Sequence, residues 1–135
     1  MMKTIKLTAA QAMMRWLSVQ MTEDGERFIE GVWAIFGHGN VAGIGEALHG
    51  INKALPTWRG QNEQTMAHAA IAYAKTKRRR RAQAVTSSIG PGATNMVTAA
   101  AVAHGDRAWP QGDACTQVTK LIHFWRPLAA NQVAP

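Results

Sequence analysis

Apolar side chains recur three and four positions apart over residues 8–20, which is the spacing of an amphipathic helix. Thr8, with Gln11 three positions later, forms the capping-box pattern typical of a helix start. Further helices are predicted over residues 43–54, from about 63 to 75 and from about 94 to 103. The apolar stripe of the helix over 63–75 is expected to consist of Met66, Ala69, Ala70 and Tyr73.

Two short apolar runs have the length and composition of buried strands. Residues 32–36 lie between two glycines, and residues 82–86 precede a glycine-containing loop. Residues 56–60 are predicted to be irregular or a short strand. The alternation of strands and helices predicts a layered α/β fold with a parallel sheet. Ligands of such sheets bind beyond the carboxyl ends of the strands, where the predicted tight loops 37–40 and 87–92 lie.

The net charge of +7 invites a nucleic-acid interpretation, but much of it comes from one run, residues 75–81. Cations are favoured at a helix C-terminus by the helix dipole, and no aromatic residues interleave with this run for base stacking. We therefore expect a solvated helix end, and nucleic-acid binding is disfavoured. A small basic nucleic-acid-binding protein stays as an alternative.

Composition narrows the class further. The 135 residues, 47% of them hydrophobic, suit one domain with a real core. No apolar run approaches the roughly 18 residues of a membrane span, and the N-terminus lacks the apolar stretch of a signal peptide. Cys115 is the single cysteine, and no His, Cys or carboxylate cluster has metal-ligand spacing. We expect a cytoplasmic protein without a metal site of its own.

Two motifs about 25 residues apart carry the chemistry: Asn62-Glu63-Gln64 at a helix start, and Ser88-Ile89-Gly90-Pro91-Gly92-Ala93-Thr94-Asn95 after a strand. Together they resemble the pyrimidine-binding domain of thiamine-diphosphate enzymes. The resemblance implies that Glu63 contacts the aminopyrimidine ring of the cofactor and triggers its chemistry. It implies cofactor contacts for Gly90, Pro91, Gly92 and Asn95.

A third segment, Ile35-Phe36-Gly37-His38-Gly39-Asn40-Val41-Ala42-Gly43-Ile44-Gly45, narrows the resemblance. Over residues 2–103 the chain is similar to the N-terminal domain of the trihydroxycyclohexane-dione hydrolases of inositol catabolism. The implied substrate is a polyol-derived diketone, whose ring is opened by thiamine-diphosphate-dependent hydrolysis of a C–C bond. His38 either faces this substrate or is a loop histidine that caps backbone groups. Asn40 and Gln64 are further candidates for substrate binding.

The same resemblance implies that half of the cofactor site lies elsewhere. In the family, the diphosphate and Mg²⁺ are held by a separate domain through a Gly-Asp-Gly motif, whereas this chain has Gly112-Asp113-Ala114. Members also continue into an apolar strand where this chain has Asp106-Arg107-Ala108-Trp109-Pro110. The implied fold is thus a three-layer sandwich with a mostly parallel sheet, incomplete at its C-terminal end. Residues 1–103 form the pyrimidine-binding domain, and 104–135 a divergent or truncated tail.

These implications favour a chain that is inactive alone and pairs with a diphosphate-binding domain or subunit, most simply in a homo-oligomer. A non-catalytic, stand-alone interaction module is the second hypothesis. Apolar surroundings are expected to raise the pKa of Glu63, which suits proton sharing with the ring. The alternative for Glu63 is an ordinary acidic residue stabilised by the helix dipole. The alternative for Gly90-Pro91-Gly92 is a plain strand-to-helix loop; a phosphate-binding loop is disfavoured, because no Gly-Lys-Ser/Thr follows.

Overall fold

The structure, a computed structural model, describes residues 4–105. Helix α1 spans Ala9–Ser18 and begins as the sequence predicts. Thr8 Oγ1 accepts a hydrogen bond from the Gln11 backbone N–H at 3.2 Å, and Gln11 Oε1 accepts one from the Thr8 backbone N–H at 3.0 Å. This reciprocal pair satisfies two backbone donors that a helix start leaves without partners, so the capping box is confirmed.

The sheet consists of β1 (Ile29–Ala34), β2 (Thr57–Arg59) and β3 (Ala82–Val85), in the order β2-β1-β3. Both pairings are parallel. The predicted α/β fold with a parallel sheet is therefore confirmed, and residues 57–59 are the short strand that the sequence left open. Since all three strands run the same way, their carboxyl ends lie at one edge of the sheet.

Strand β1 differs from the prediction of 32–36 because it begins at Ile29 and ends at Ala34. The sequence pattern missed its start because Glu30 interrupts the apolar run. Its carboxylate is accommodated there by hydrogen bonds from the Tyr73 hydroxyl and from Arg81. Ile29 and Val32 are three positions apart and would face opposite sides of a regular strand. A bulge between them lets both buried side chains join the same core.

The chain becomes helical at His38, so the predicted tight loop at 37–40 is wrong. The backbone carbonyl of Gly37 accepts hydrogen bonds from the N–H groups of Asn40 and Val41, at 3.0 and 3.1 Å, and so starts a helix. Helix α2 (His38–Asn40) continues through a π-helical segment (Val41–Gly45) into α3 (Glu46–Gly50). The helix predicted over 43–54 thus begins earlier and ends sooner.

Helices cover both faces of the sheet, as a three-layer arrangement requires. One core joins α1 and α3 to β1 and β3 through residues that are largely or fully buried: Met14, Leu17, Val32, Leu48, Ala82 and Ala84. The other core joins α4 (Glu63–Thr76) and α6 (Val97–Gly105) to the opposite face. The short helix α5 (Pro91–Asn95) precedes α6, and Met96 between the two belongs to this core. Val85 packs against this second core, while its neighbour Ala84 belongs to the first, as alternation along a strand demands.

The apolar stripe of α4 is rotated from its predicted position. Met66 and Ala70 are buried as predicted, but Ala69 and Tyr73 are only half-buried. Residues of α4 that the prediction omitted are buried instead: Ala67, Ile71 and Ala74. The reason is that α4 packs against α6 as well as against the sheet, and Ala67 and Ile71 join the cluster that includes α6.

Gly31 permits a close approach between β1 and β2. A Cβ atom at this position would collide with the ring of Trp58 and with the backbone carbonyl of Pro56. Trp58 in turn packs against Trp33, with ring centroids 5.5 Å apart at a tilt of 43°. The indole N–H of Trp33 donates to Gln83 Oε1 at 2.9 Å, which links the tryptophan pair to β3.

The C-terminal part of α4 is attached to β1 by a polar cluster. The Tyr73 hydroxyl donates to Glu30, while Arg81 pairs with Glu30 and Glu26. Burial and the hydrogen bond to Glu30 raise the pKa of Tyr73 to about 12. The hydrogen bond from Tyr73 lowers the pKa of Glu30, and Arg81 adds to this against the opposing effect of burial. Arg81 is thus a partly buried ion-pair partner rather than part of the solvated helix end that was predicted.

Arg78 closes α4 in a left-handed backbone conformation, with φ of 52°. Its N–H donates to the Lys75 carbonyl at 3.0 Å, and the next N–H, of Arg79, donates to the Ala74 carbonyl at 2.7 Å. This pair of hydrogen bonds is the Schellman arrangement, in which glycine is the preferred residue at the first left-handed position.

Replacing Arg78 with Gly should therefore raise the free energy of unfolding by about 0.5–1 kcal/mol, because glycine adopts a positive φ without steric cost. Urea denaturation of the whole chain measures the change. Arg80→Gly is the matched control, since Arg80 is also exposed but does not have a positive φ, and this change should be slightly destabilising. Equal stabilities for the two variants would contradict the assigned helix end.

Candidate functional site

Glu63 is the first residue of α4 and lies at the edge of the sheet where the strands end. Asn62 caps this helix, since its Oδ1 accepts hydrogen bonds from the backbone N–H and hydroxyl of Thr65 at 3.0 and 3.2 Å. The Glu63 side chain is only 9% exposed, and it is one of two buried polar or charged residues in the described part of the chain. A buried carboxylate needs hydrogen-bond donors around it.

The loop after β3 supplies these donors. Ser88 Oγ donates to Glu63 Oε1 at 2.8 Å. The side chain of Asn95, at the end of α5, lines the same groove and helps to lower the pKa of the Glu63 carboxyl. The two motifs that stand about 25 residues apart in the sequence are therefore in direct contact, as the predicted common site requires.

Glycines shape this loop in two different ways. Gly90 has φ of +62°, a backbone conformation that turns the chain into α5, and Pro91 occupies the first turn of that helix. Gly92 is buried, and a Cβ atom there would collide with Ser88 Oγ and with Glu63 Oε1. The Gly-Pro-Gly segment thus lets the loop approach the carboxylate closely, which a plain strand-to-helix connection does not require.

An open groove of about 850 Å³ runs beside Glu63. Its lining consists of Glu63, Ser88, Pro91, Gly92, Thr94, Asn95 and Thr98. Among these described residues there is one carboxylate and no Lys, Arg or His, so the groove suits a ligand group that donates a hydrogen bond or carries a positive charge. It offers no charge partner for a phosphate group.

The pKa of Glu63 is lowered from its ordinary value of 4.5, and the prediction of a raised pKa is wrong. Burial is the largest single influence and does act to raise the pKa. However, hydrogen bonds from Ser88, from the backbone N–H of Glu63 itself and from Asn95 favour the charged form and outweigh burial. Glu63 is therefore a carboxylate at neutral pH, ready to accept a hydrogen bond.

The predicted substrate-binding residues lie apart from this groove. Asn40 is 3% exposed, and its Nδ2 donates to the backbone carbonyl of Ser87 at 2.8 Å, which joins α2 to the loop before Ser88. His38 is exposed at the start of α2, and Gln64 is half-buried in the first turn of α4. None of the three lines the groove, so their role in binding a substrate stays a prediction. Sequence reasoning missed Ser88, Thr94 and Thr98, although Ser88 and Thr94 stand inside the motif that identified the site.

Other site classes find little support among residues 4–105. No group of three or more His, Cys, Asp or Glu side chains is arranged to hold a metal ion there. No helix in that range is long and apolar enough to cross a bilayer. Within the basic run, Arg80 lies 3.5 Å from Asp24, and Arg81 pairs with two glutamates, so part of its charge is compensated within the domain.

The α/β fold and the buried glutamate beside a Gly-Pro-Gly loop agree with the pyrimidine-binding domain that the sequence resembles. Comparison with known families identifies the same class of protein. The family model described as "Thiamine pyrophosphate enzyme, N-terminal TPP binding domain" matches residues 30–109. That range is more than half of the chain, and the chain belongs to this family.

Individual proteins with similar sequences make the family assignment more specific. The chain is 54% identical over 105 residues to a 3D-(3,5/4)-trihydroxycyclohexane-1,2-dione hydrolase of Geobacillus thermodenitrificans. The matched region is 76% of this chain and 16% of the relative. The chain is also 53% identical over 106 residues to the enzyme of that name from Shouchella clausii, which covers 76% of this chain and 17% of the relative. The chain thus spans about a sixth of the length of these curated relatives. No solved structure matches it.

Replacing Gly92 with Ala should lower the free energy of unfolding by about 1–3 kcal/mol, because the new methyl group collides with both partners of the Ser88–Glu63 hydrogen bond. Chemical denaturation of the whole chain measures the loss. Gly50→Ala is the matched control, since a Cβ atom at Gly50 meets no atom within 4 Å. Gly92→Ala with the stability of Gly50→Ala would show that the loop does not close on Glu63.

Proposed function

We propose that residues 1–103 form the pyrimidine-binding domain of a thiamine-diphosphate-dependent hydrolase that opens the ring of a trihydroxycyclohexane-dione. The single observation that carries this proposal is the buried, ionised carboxylate of Glu63, held at the wall of an open groove by the Ser88 hydroxyl. The family match supports the cofactor, and the names of the relatives support the substrate class. A place in myo-inositol catabolism, in the cytoplasm, follows from the same proposal.

The residues of this chain fit the pyrimidine end of the cofactor. Glu63 would accept a hydrogen bond from a protonated ring nitrogen, and its lowered pKa keeps it ready to do so at neutral pH. Pro91, Gly92 and Asn95 line the groove, and a flat ring would pack against them. Gly90 does not line the groove, so its proposed cofactor contact rests on the resemblance alone. When bound, thiamine diphosphate supplies a thiazolium ring that accepts the electrons released as the C–C bond breaks.

The diphosphate end requires other residues. The described lining of the groove contains no cation, and we propose that Mg²⁺ and the diphosphate are held by a separate domain or partner subunit. Ile89 and Val97, each next in sequence to the site residues, are 56% and 58% exposed, which supports a partner that covers this edge. A homo-oligomer supplies such a partner most simply, and the chain alone should be inactive. His38, Asn40 and Gln64 are proposed to contact the substrate in that assembly.

The role of Glu63 can be tested in a chimera in which the matched part of this chain replaces the corresponding 105 residues of the Geobacillus thermodenitrificans enzyme. Glu63→Gln should lower the turnover of the cyclic dione by about 10²–10⁴-fold, the usual contribution of a positioned acid–base group. The affinity for the cofactor should fall less, because the amide keeps the shape of the side chain.

Glu46→Gln in the same chimera is the matched control. Glu46 undergoes the same chemical change but is exposed at the start of α3. Its variant should keep the turnover of the parent chimera. If Glu63→Gln also kept that turnover, Glu63 would have no catalytic role.

The division of the cofactor site predicts how the chain alone binds ligands. Thiamine and thiamine diphosphate, the latter with Mg²⁺, should bind with the same weak affinity, because the groove contacts only the ring. Isothermal calorimetry on the whole chain measures both. Markedly tighter binding of the diphosphate form would show that this chain itself holds the diphosphate.

A further inference from the structure

We infer that Ser88 is a positioning residue, whose hydroxyl fixes one oxygen of the Glu63 carboxylate and holds the side chain in place for the pyrimidine ring. The inference rests on the proposed function for its catalytic meaning. The Ser88–Glu63 contact itself is a property of this chain alone and can be tested without cofactor.

The geometry gives Ser88 a defined task. Its Oγ donates to Glu63 Oε1 at 2.8 Å, from a loop that begins where β3 ends. A serine hydroxyl has one proton, and here that proton is directed to the carboxylate rather than to the backbone. Because Glu63 is at the start of α4, this bond also ties the helix start to the end of β3.

The loop is built around this hydrogen bond. A Cβ atom at Gly92 would collide with Ser88 Oγ and Glu63 Oε1, the two atoms that the bond joins. Glycine at position 92 is therefore required by the Ser88–Glu63 pair, whereas the backbone turn is made at Gly90. The backbone before Ser88 is itself anchored, because the buried Asn40 donates to the Ser87 carbonyl at 2.8 Å.

Few other groups are able to take over from Ser88. The groups that stabilise the Glu63 carboxylate are the Ser88 hydroxyl and backbone, the N–H of Glu63 itself on α4, and the side chain of Asn95 on α5. The described residues that line the groove include no Lys, Arg or His. Removing the hydroxyl therefore leaves a buried carboxylate with fewer donors and no compensating charge.

The test is a pH titration of the Glu63 carboxyl carbon by NMR in the whole chain, with ¹³C-labelled glutamate and the resonance assigned by its loss in Glu63→Gln. In the parent chain the midpoint should lie below 4.5, the ordinary value. In Ser88→Ala it should rise by about one pH unit, the equivalent of one hydrogen bond to a charged group. Ser88→Thr keeps a hydroxyl and should restore the low midpoint.

Ser87→Ala is the matched control, since it removes a neighbouring hydroxyl and keeps the backbone carbonyl that Asn40 binds. Its midpoint should equal that of the parent chain. An unchanged midpoint in Ser88→Ala, or the same rise in Ser87→Ala, would overturn the inference. If circular dichroism shows that Ser88→Ala is unfolded, Ser88→Cys carries the same expectation, because a thiol is a weak donor.

A second arm separates this inference from the proposed function. In the chimera, Ser88→Ala should move the acid limb of the pH–rate profile to higher pH, and Ser88→Thr should move it back. If the NMR midpoint shifts as expected but the parent chimera is inactive, the Ser88–Glu63 contact is supported and the proposed function is contradicted. Suppose instead that the chimera is active, that Glu63→Gln slows it, and that Ser88→Ala leaves the pH–rate profile of the parent unchanged. This result would support the proposed function and overturn the role of Ser88.

Discussion

The burial of one carboxylate, that of Glu63, is the constraint on which this edge of the molecule depends. A charged side chain that is 9% exposed needs hydrogen bonds that compensate for the lost water. The start of α4 provides a backbone N–H, the loop after β3 provides the Ser88 hydroxyl, and α5 provides Asn95. Gly92 must lack a side chain so that the Ser88 hydroxyl reaches the carboxylate. The form of the loop follows from this one requirement.

The parallel sheet makes the arrangement possible. Strand β3 ends, and α4 begins after β2, at the same edge, because parallel strands present their carboxyl ends together. The start of α4 and the loop after β3 therefore meet in space, although the rest of α4 and β3 separate them along the chain. Asn40 adds a third segment, from the helix after β1, by binding the backbone just before Ser88. Each of the described strands thus leads into a part of the site region.

Helix α4 is held by a carboxylate at each end. Glu63, within the helix start, bonds to the loop after β3, while Glu30, on β1, accepts from Tyr73 near the helix end. Hydrogen bonds lower the pKa of both carboxyls, so both stay ionised at neutral pH. As pH falls through these lowered pKa values, the stability that each contributes is lost. The two contacts differ in setting: Glu63 lines an open groove, whereas the Glu30 side chain, 25% exposed, contacts Tyr73 and Arg81.

The sequence by itself determined the α/β class, the capping box of α1 and the parallel sheet, because these features depend on local patterns. The pairing of Glu63 with the Gly-Pro-Gly loop was predicted from the resemblance of the two motifs to those of thiamine-diphosphate enzymes. Only the tertiary structure decided the start of β1, where the contacts of Glu30 with Tyr73 and Arg81 admit a charge into a strand. It also decided the lowered pKa of Glu63, because burial and hydrogen bonding act in opposite directions and their balance depends on how closely Ser88 and Asn95 approach.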